Sequence, residues 1–131
     1  MDEEKRFEIT TAQFELFREE VRYWIERFGL KQWQLFIAHE EMGDAGSLAR
    51  VTWKRDQMQA KIMLNKVLDN KEQDANIVRA GFHEVVELLL AEVSDQLMET
   101  LAYPRADAMT HQLIRTLENG VWFPDWLARS K

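Results

Sequence analysis

The chain has no cysteine in its 131 residues, so disulfides and thiolate metal ligands are both excluded, as is Cys–His catalysis. That absence fits a reducing, cytoplasmic setting. Proline is scarce, with only Pro104 and Pro124, and there are five glycines, none gathered into a phosphate-cradling loop. Nor is a nucleophilic serine with a positioned base visible. Long apolar runs are missing. The longest, Leu88–Ala91, is far too short to span a bilayer, so no membrane partner is expected. Met1–Glu8 is acidic and polar with no apolar segment behind it, which gives no sign of a secretory signal. Positive charge is in deficit, 17 Lys and Arg against 23 Asp and Glu, and the net charge of −6 argues against a nucleic-acid partner. What is present is core material. Hydrophobic residues make up 46%, with five Trp and seven Phe, enough for one globular domain. Residues 1–10 are expected to be a flexible terminus and 11–131 the domain.

A helix is predicted from Thr11, capped by Thr10 or Thr11, with Phe14, Phe17, Val21, Trp24, Ile25 and Phe28 as its apolar stripe and Gly29 as its end. Three short strands follow. Trp33, Leu35 and Ile37 alternate with other residues, Leu48–Lys54 carries Val51 and Trp53 on one face, and Gln59–Asn65 alternates Ala60, Ile62 and Leu64 with Lys61 and Met63. Such alternation predicts a small antiparallel sheet with one covered face. After a polar connection, Asp69–Asp74, one long helix is predicted over 73–101, then another over 105–119 ending at Gly120. The aromatic tail, Val121–Leu127, either folds back onto the domain or forms a partner surface, and folding back is the expectation. The order of elements defines an α+β domain.

The stretch that carries chemistry is Phe82-His83-Glu84-Val85-Val86-Glu87. It is one residue away from H-E-x-x-H, in which two histidines on one helix face bind zinc and the glutamate between them serves as general base. Here the second histidine is replaced by Glu87. His83 and Glu87, at i and i+4, are neighbours about 5–6 Å apart and suited to sharing a ligand. A helical wheel places Phe82, Val85, Val86, Leu89, Leu90, Val93 and Leu97 inward, with His83 and Glu87 on the flank. The plainer account is a partly solvated polar stripe continuing to Ser94 and Asp95. His39, at the end of the first strand, reads as a partly buried structural residue.

The element order and the sequence from Phe82 to Leu90 resemble the small zincin-like metallopeptidase-fold proteins of phages and prophages, over roughly residues 10–120. In that family the motif helix is followed by a later helix that supplies a third ligand, a glutamate. Thr110-His111-Gln112-Leu113-Ile114-Arg115-Thr116-Leu117-Glu118-Asn119 looks like that helix, with Thr110 where the glutamate is expected. The resemblance implies a metal held by His83, Glu87 and a third group. His111, turned inward, would complete a two-His, one-Glu set, and Glu118 is the weaker choice because it would give a harder, more negative site. Met109, Leu113, Ile114, Leu117 and Val121 are expected to face inward from this helix. The cofactor implied is zinc or another divalent cation, the base Glu84, and the substrate a peptide aligned along Gln59–Asn65. The alternatives are a metal-free member kept as a protein-binding module, and an unrelated α+β interaction domain with an accidental motif.

Overall fold

The computed structural model describes residues 6–131. The predicted first helix is present as α1, Thr11–Phe28. Its N-terminus is a reciprocal cap: Gln13 N–H donates to the Thr10 hydroxyl at 3.1 Å, and Thr10 N–H donates to the Gln13 side chain at 3.1 Å. Its C-terminus is Gly29, whose φ of 68° is the left-handed conformation that glycine adopts without a Cβ clash. Phe17, Val21 and Trp24 are buried, and Phe14, Ile25 and Phe28 flank them.

The expected flexible terminus, 1–10, needs correction where it is described. Phe7–Glu8 form β1, which pairs antiparallel with Val67–Leu68, and Ile9 is buried with its N–H on the Lys66 carbonyl at 2.8 Å. Met1–Lys5, the rest of that expected terminus, lie outside the described residues.

The three predicted strands are β2 (Gln34–Glu40), β3 (Ala49–Lys54) and β4 (Gln59–Asn65), and Val67–Leu68 is β5. Their order is β2-β4-β3. The β4–β3 pair is antiparallel, with Ala49 opposite Leu64, but β2 and β4 run parallel, with Gln34 opposite Gln59. The sheet is therefore mixed rather than antiparallel, and β4 lies at its centre, not at an edge. The turn after β2 sets this order. Asn65, buried, accepts from Met42 N–H and donates to the Asp44 and Ser47 carbonyls, holding the chain as it swings past β4 to lay down β3. Alternation in the sequence reports which residues face the core, here Ala60, Ile62 and Leu64, and carries no information on strand order or direction.

The helix expected over 73–101 is two helices, α2 (Asp74–Leu89) and α3 (Ala91–Thr100), with a break at Leu90, where ψ is 7°. No proline or glycine marks the break. Within α2 the buried face runs through Ile77, Val78, Gly81, Phe82, Val85, Val86 and Leu88, rotated from the expected one, and Leu90 still packs against the core. Leu88 is 1% exposed, whereas Leu89 is 38% exposed and Val93 also faces solvent. From α3 only Ala91 and Ser94 are buried.

The next helix, α4, spans Tyr103–Leu117 with Pro104 in its first turn. It does not stop at Gly120. A π-helical turn, Glu118–Trp122, carries it into α5, Phe123–Arg129. Buried residues on α4 are Ala106, Thr110 and Ile114, while Met109, Leu113 and Val121, expected inside, are exposed. The aromatic tail folds back as expected: Trp122 is buried and stacks on Trp126 at 5.2 Å and 10°. The result is an α+β domain in which α1 and α2 cover one face of the sheet and α4 lies along α2. Among the described residues no helix is long and apolar enough to cross a membrane.

Candidate metal centre

The apolar stripe of α2 (Ile77, Val78, Phe82, Val85, Val86) is buried against the core and fixes the rotation of the helix. His83 and Glu87, one turn apart, then emerge together on the flank that meets α4. There Ala106, Thr110 and Ile114 seat α4 against its neighbours, and His111 is carried round to face them. His83 Nε2 lies 3.4 Å from Glu87 Oε1, and His111 Nε2 lies 3.4 Å from the same oxygen. One donor atom from each of the three residues lies within 4.8 Å of the others. His111, read as needing to turn inward, is turned inward.

These spacings are compatible with ligation of a cation. Charge-assisted N–H···O bonds close to about 2.7–2.9 Å, so 3.4 Å is loose for an imidazolium–carboxylate bond. Ligands about 2.0–2.2 Å from a tetrahedral zinc lie about 3.4 Å from each other. The outer nitrogens fit the same use. His111 Nδ1–H donates to the Asp107 carbonyl at 2.9 Å, with the Asp107 carboxylate at 3.3 Å, and His83 Nδ1 faces Glu118 Oε2 at 3.4 Å. Both rings thus have Nδ1 turned to an oxygen acceptor and Nε2 turned to Glu87, the arrangement by which metal-binding histidines are oriented. Glu118, weighed in the sequence as a ligand, stands behind His83 instead. Asp107 was not singled out by sequence reasoning, although its i, i+4 spacing to His111 was the available signal.

Thr110 takes no part in the cluster. It is buried, and its hydroxyl donates to the Ala106 carbonyl at 3.0 Å, the usual outlet for a mid-helix threonine. His39 is also elsewhere. It stacks on Phe14 at 4.9 Å and 5°, and burial, then the nearby Lys66, push its pKa down, which keeps the ring neutral.

Glu84 is the buried acid of the site, with Oε2 out of solvent and without a hydrogen-bond partner. Burial, reinforced by the negative charge of Glu87, pushes its pKa up to about 8, against partial relief from His83 and Arg50. For His83 burial opposes the charged form, but Glu118 and Glu87 at its two nitrogens and the charge of Glu84 outweigh that, raising its pKa to about 10. Without a cation, the cluster holds a proton on His83 in its place.

Glu84, His83 and His111 line a cleft of about 430 Å³, walled on one side by Leu48 and Ala49 at the start of β3 and reached by Arg115 from α4. The strand beside this cleft is therefore β3, an edge strand, and not β4, which is hydrogen-bonded on both sides. Comparison with protein families, with curated proteins and with solved structures returned no match.

Proposed function

We propose that this chain is a zincin-like, metal-dependent hydrolase of peptide bonds, of the kind found in phages, with a divalent cation held by His83, Glu87 and His111 and with Glu84 as the general base. The observation that carries the reading is the convergence of two histidine Nε2 atoms on one carboxylate oxygen, with the His111 ring anchored from behind through Nδ1 and His83 Nδ1 facing Glu118. The orphaned, buried oxygen of Glu84 beside them is the second support. A polar group kept in that condition costs stability, and such groups cluster at functional sites.

When bound, the cation supplies Lewis acidity to a substrate carbonyl and to the attacking water. The donor set of two imidazoles and one carboxylate is that of a known class of catalytic zinc site, which keeps a position open for substrate or water. Glu84, held away from bulk solvent, accepts the proton of the attacking water and returns it to the leaving amine. A pKa near neutrality suits a group that must do both. β3, an edge strand, meets the cleft at its first residue, Ala49, and its free main-chain edge is the one that could offer an extended peptide the bonds of an added strand. Gln59–Asn65, the strand expected in that role, is β4 and has no free edge.

A second reading, a metal-free protein-binding module, is favoured by one observation: Glu87 and Glu118 face the two nitrogens of His83, an arrangement that favours the imidazolium when no cation is bound. Metal analysis of protein purified without chelator separates the two. The hydrolase reading expects close to one equivalent of metal, lost in His83→Ala and retained in Glu84→Gln with hydrolysis abolished. A metal-free wild type that also fails to take up added Zn²⁺, Mn²⁺ or Fe²⁺ would leave the binding module standing.

A further inference from the structure

The π-helical turn Glu118–Trp122 is one residue looser per turn than the helices it joins, and such turns frequently occur at functional sites. Each of its two ends makes a polar contact with another helix. At the first, Glu118 Oε2 faces His83 Nδ1 at 3.4 Å. At the last, Trp122 Nε1–H donates to Glu20 Oε2 at 2.9 Å. Glu20 is 4% exposed and in the middle of α1, where an unpaired carboxylate would be costly. It is instead saturated. Trp24 Nε1–H donates at 2.9 Å, and the Arg129 guanidinium closes on both oxygens at 2.9 and 2.7 Å. Arg129 lies in turn over the Tyr23 ring at 4.0 Å and bonds Asp125 at 2.6 Å, and Tyr23 donates its hydroxyl to Asp125 at 3.2 Å. The whole C-terminal segment is thereby clasped to α1 by one buried acid.

We infer that Glu118 is a positioning residue for His83, and that the Glu20 clasp on Trp122 and Arg129 is what holds it in position. The C-terminal helix α5, which touches none of the three ligand residues through any contact described, then sets how well the site binds its cation. This rests on the hydrolase reading, since it concerns the affinity of that same cluster. Glu118 carries the one carboxylate found at His83 Nδ1, and its side chain is only 13% exposed, so solvent does not readily replace it. Arg79 approaches the same carboxylate only to 4.0 Å, leaving its orientation to the main chain of the π turn. That main chain is fixed at its far end by Trp122.

The test is the affinity of the intact protein for Zn²⁺, measured by competition with a chromophoric chelator, together with the visible spectrum of the Co²⁺ form. Glu118→Gln, which keeps shape and removes charge, should weaken Zn²⁺ binding about 10–100-fold, the usual effect of losing a partner behind a ligand histidine. Arg129→Met and Trp122→Phe should weaken it in the same direction and alter the Co²⁺ spectrum, although neither residue contacts a ligand. Leu68→Ala in the β1–β5 sheet serves as a control for general loss of stability and should leave both readouts unchanged. Wild-type binding with unaltered affinity in Glu118→Gln would overturn the positioning role while sparing the metal site. An effect of Glu118→Gln without one of Arg129→Met or Trp122→Phe beyond the control would overturn the clasp. A wild type that binds no metal would overturn both the inference and the hydrolase reading.

Discussion

Replacing Gly81 by alanine sets two effects of similar size against each other, and the structure decides between them. Gly81 lies inside α2, where alanine is better than glycine by about 1 kcal/mol on helix propensity alone. A Cβ at this position, however, would meet the Phe17 carbonyl oxygen at 3.2 Å, Glu20 Cβ at 3.3 Å and Val21 Cγ2 at 3.5 Å. The first of these is main chain of α1 and cannot rotate away, so α1 and α2 must separate by a few tenths of an ångström. Overpacking of this kind costs about 1–3 kcal/mol. The net expectation for Gly81→Ala is a loss of about 1 kcal/mol, or a fall in Tm of about 4 °C for a chain of this size. Gly120→Ala is the control. There nothing lies within 4 Å of the new Cβ, and φ is not in the left-handed region, so the same change should raise stability by about 0.5–1 kcal/mol. Urea and thermal unfolding of both variants provide the measurement. A stabilised Gly81→Ala would refute the close seating of α1 on α2, and with it the placement of Glu20 against the motif helix.

Leu88→Ala should cost about 2–5 kcal/mol and Leu89→Ala clearly less, because Leu88 is 1% exposed and Leu89 38%; equal urea midpoints would mean that the buried face of α2 is wrongly drawn. For the metal-free protein, stability should fall as pH rises from about 5 to 10. The folded form holds the Glu84 proton to about 8 against an ordinary 4.5, and the His83 proton to about 10 against 6.5, so both contributions are complete below the lower value and lost through the upper one. Glu84→Gln should flatten the part between pH 5 and 8, as read from Tm against pH, and a slope unchanged by that variant would remove Glu84 as its source. In the metal-loaded protein the dependence should reverse at the acid end, since protons then compete with the cation for His83 and His111, which titration of bound metal against pH measures.

The local signals in the sequence were sufficient for local structure. Thr10, Gln13 and Gly29 bracket α1 by capping and by a left-handed end, and alternation at Leu35 and Ile37, at Val51 and Trp53, and at Ile62 and Leu64 announces β2, β3 and β4, while the two-residue strands β1 and β5 are too short to carry a pattern. What sequence pattern could not convey was relation between elements. The parallel pairing of β2 with β4 follows from Asn65 gathering the 41–48 turn, a long-range contact with no periodicity. The break at Leu90 has no proline or glycine to announce it, so Val93 is expected on a face that α3 does not continue, while Leu89 is misplaced because the apolar run 88–90 leaves the rotation of α2 ambiguous. For the site, the i, i+4 spacing of His83 and Glu87 was legible because both lie on one helix. His111 could be placed only conditionally, since its approach depends on how Ala106, Thr110 and Ile114 seat α4. Glu118 is legible only as the weaker ligand candidate, since its approach to His83 Nδ1 depends on a π turn that Gly120, read as a helix end, does not announce.

The pair α3 and α4 buries little more than small side chains, Ala91, Ser94, Ala106 and Thr110, with Ile114 the one large residue, while Val93, Met98, Tyr103, Met109 and Leu113 remain in solvent. Segments anchored so thinly open on their own, well below the free energy of global unfolding. In the proposed site two ligand residues belong to the firmly packed α2 and the third to this looser hairpin, so the apparent affinity for a cation would scale with the fraction of molecules in which α4 is docked. Occupancy and docking would then be one equilibrium. Amide exchange along 91–117 should slow when Zn²⁺ is added while that of α1 and β4 stays as it was, making the site a reporter of its own assembly.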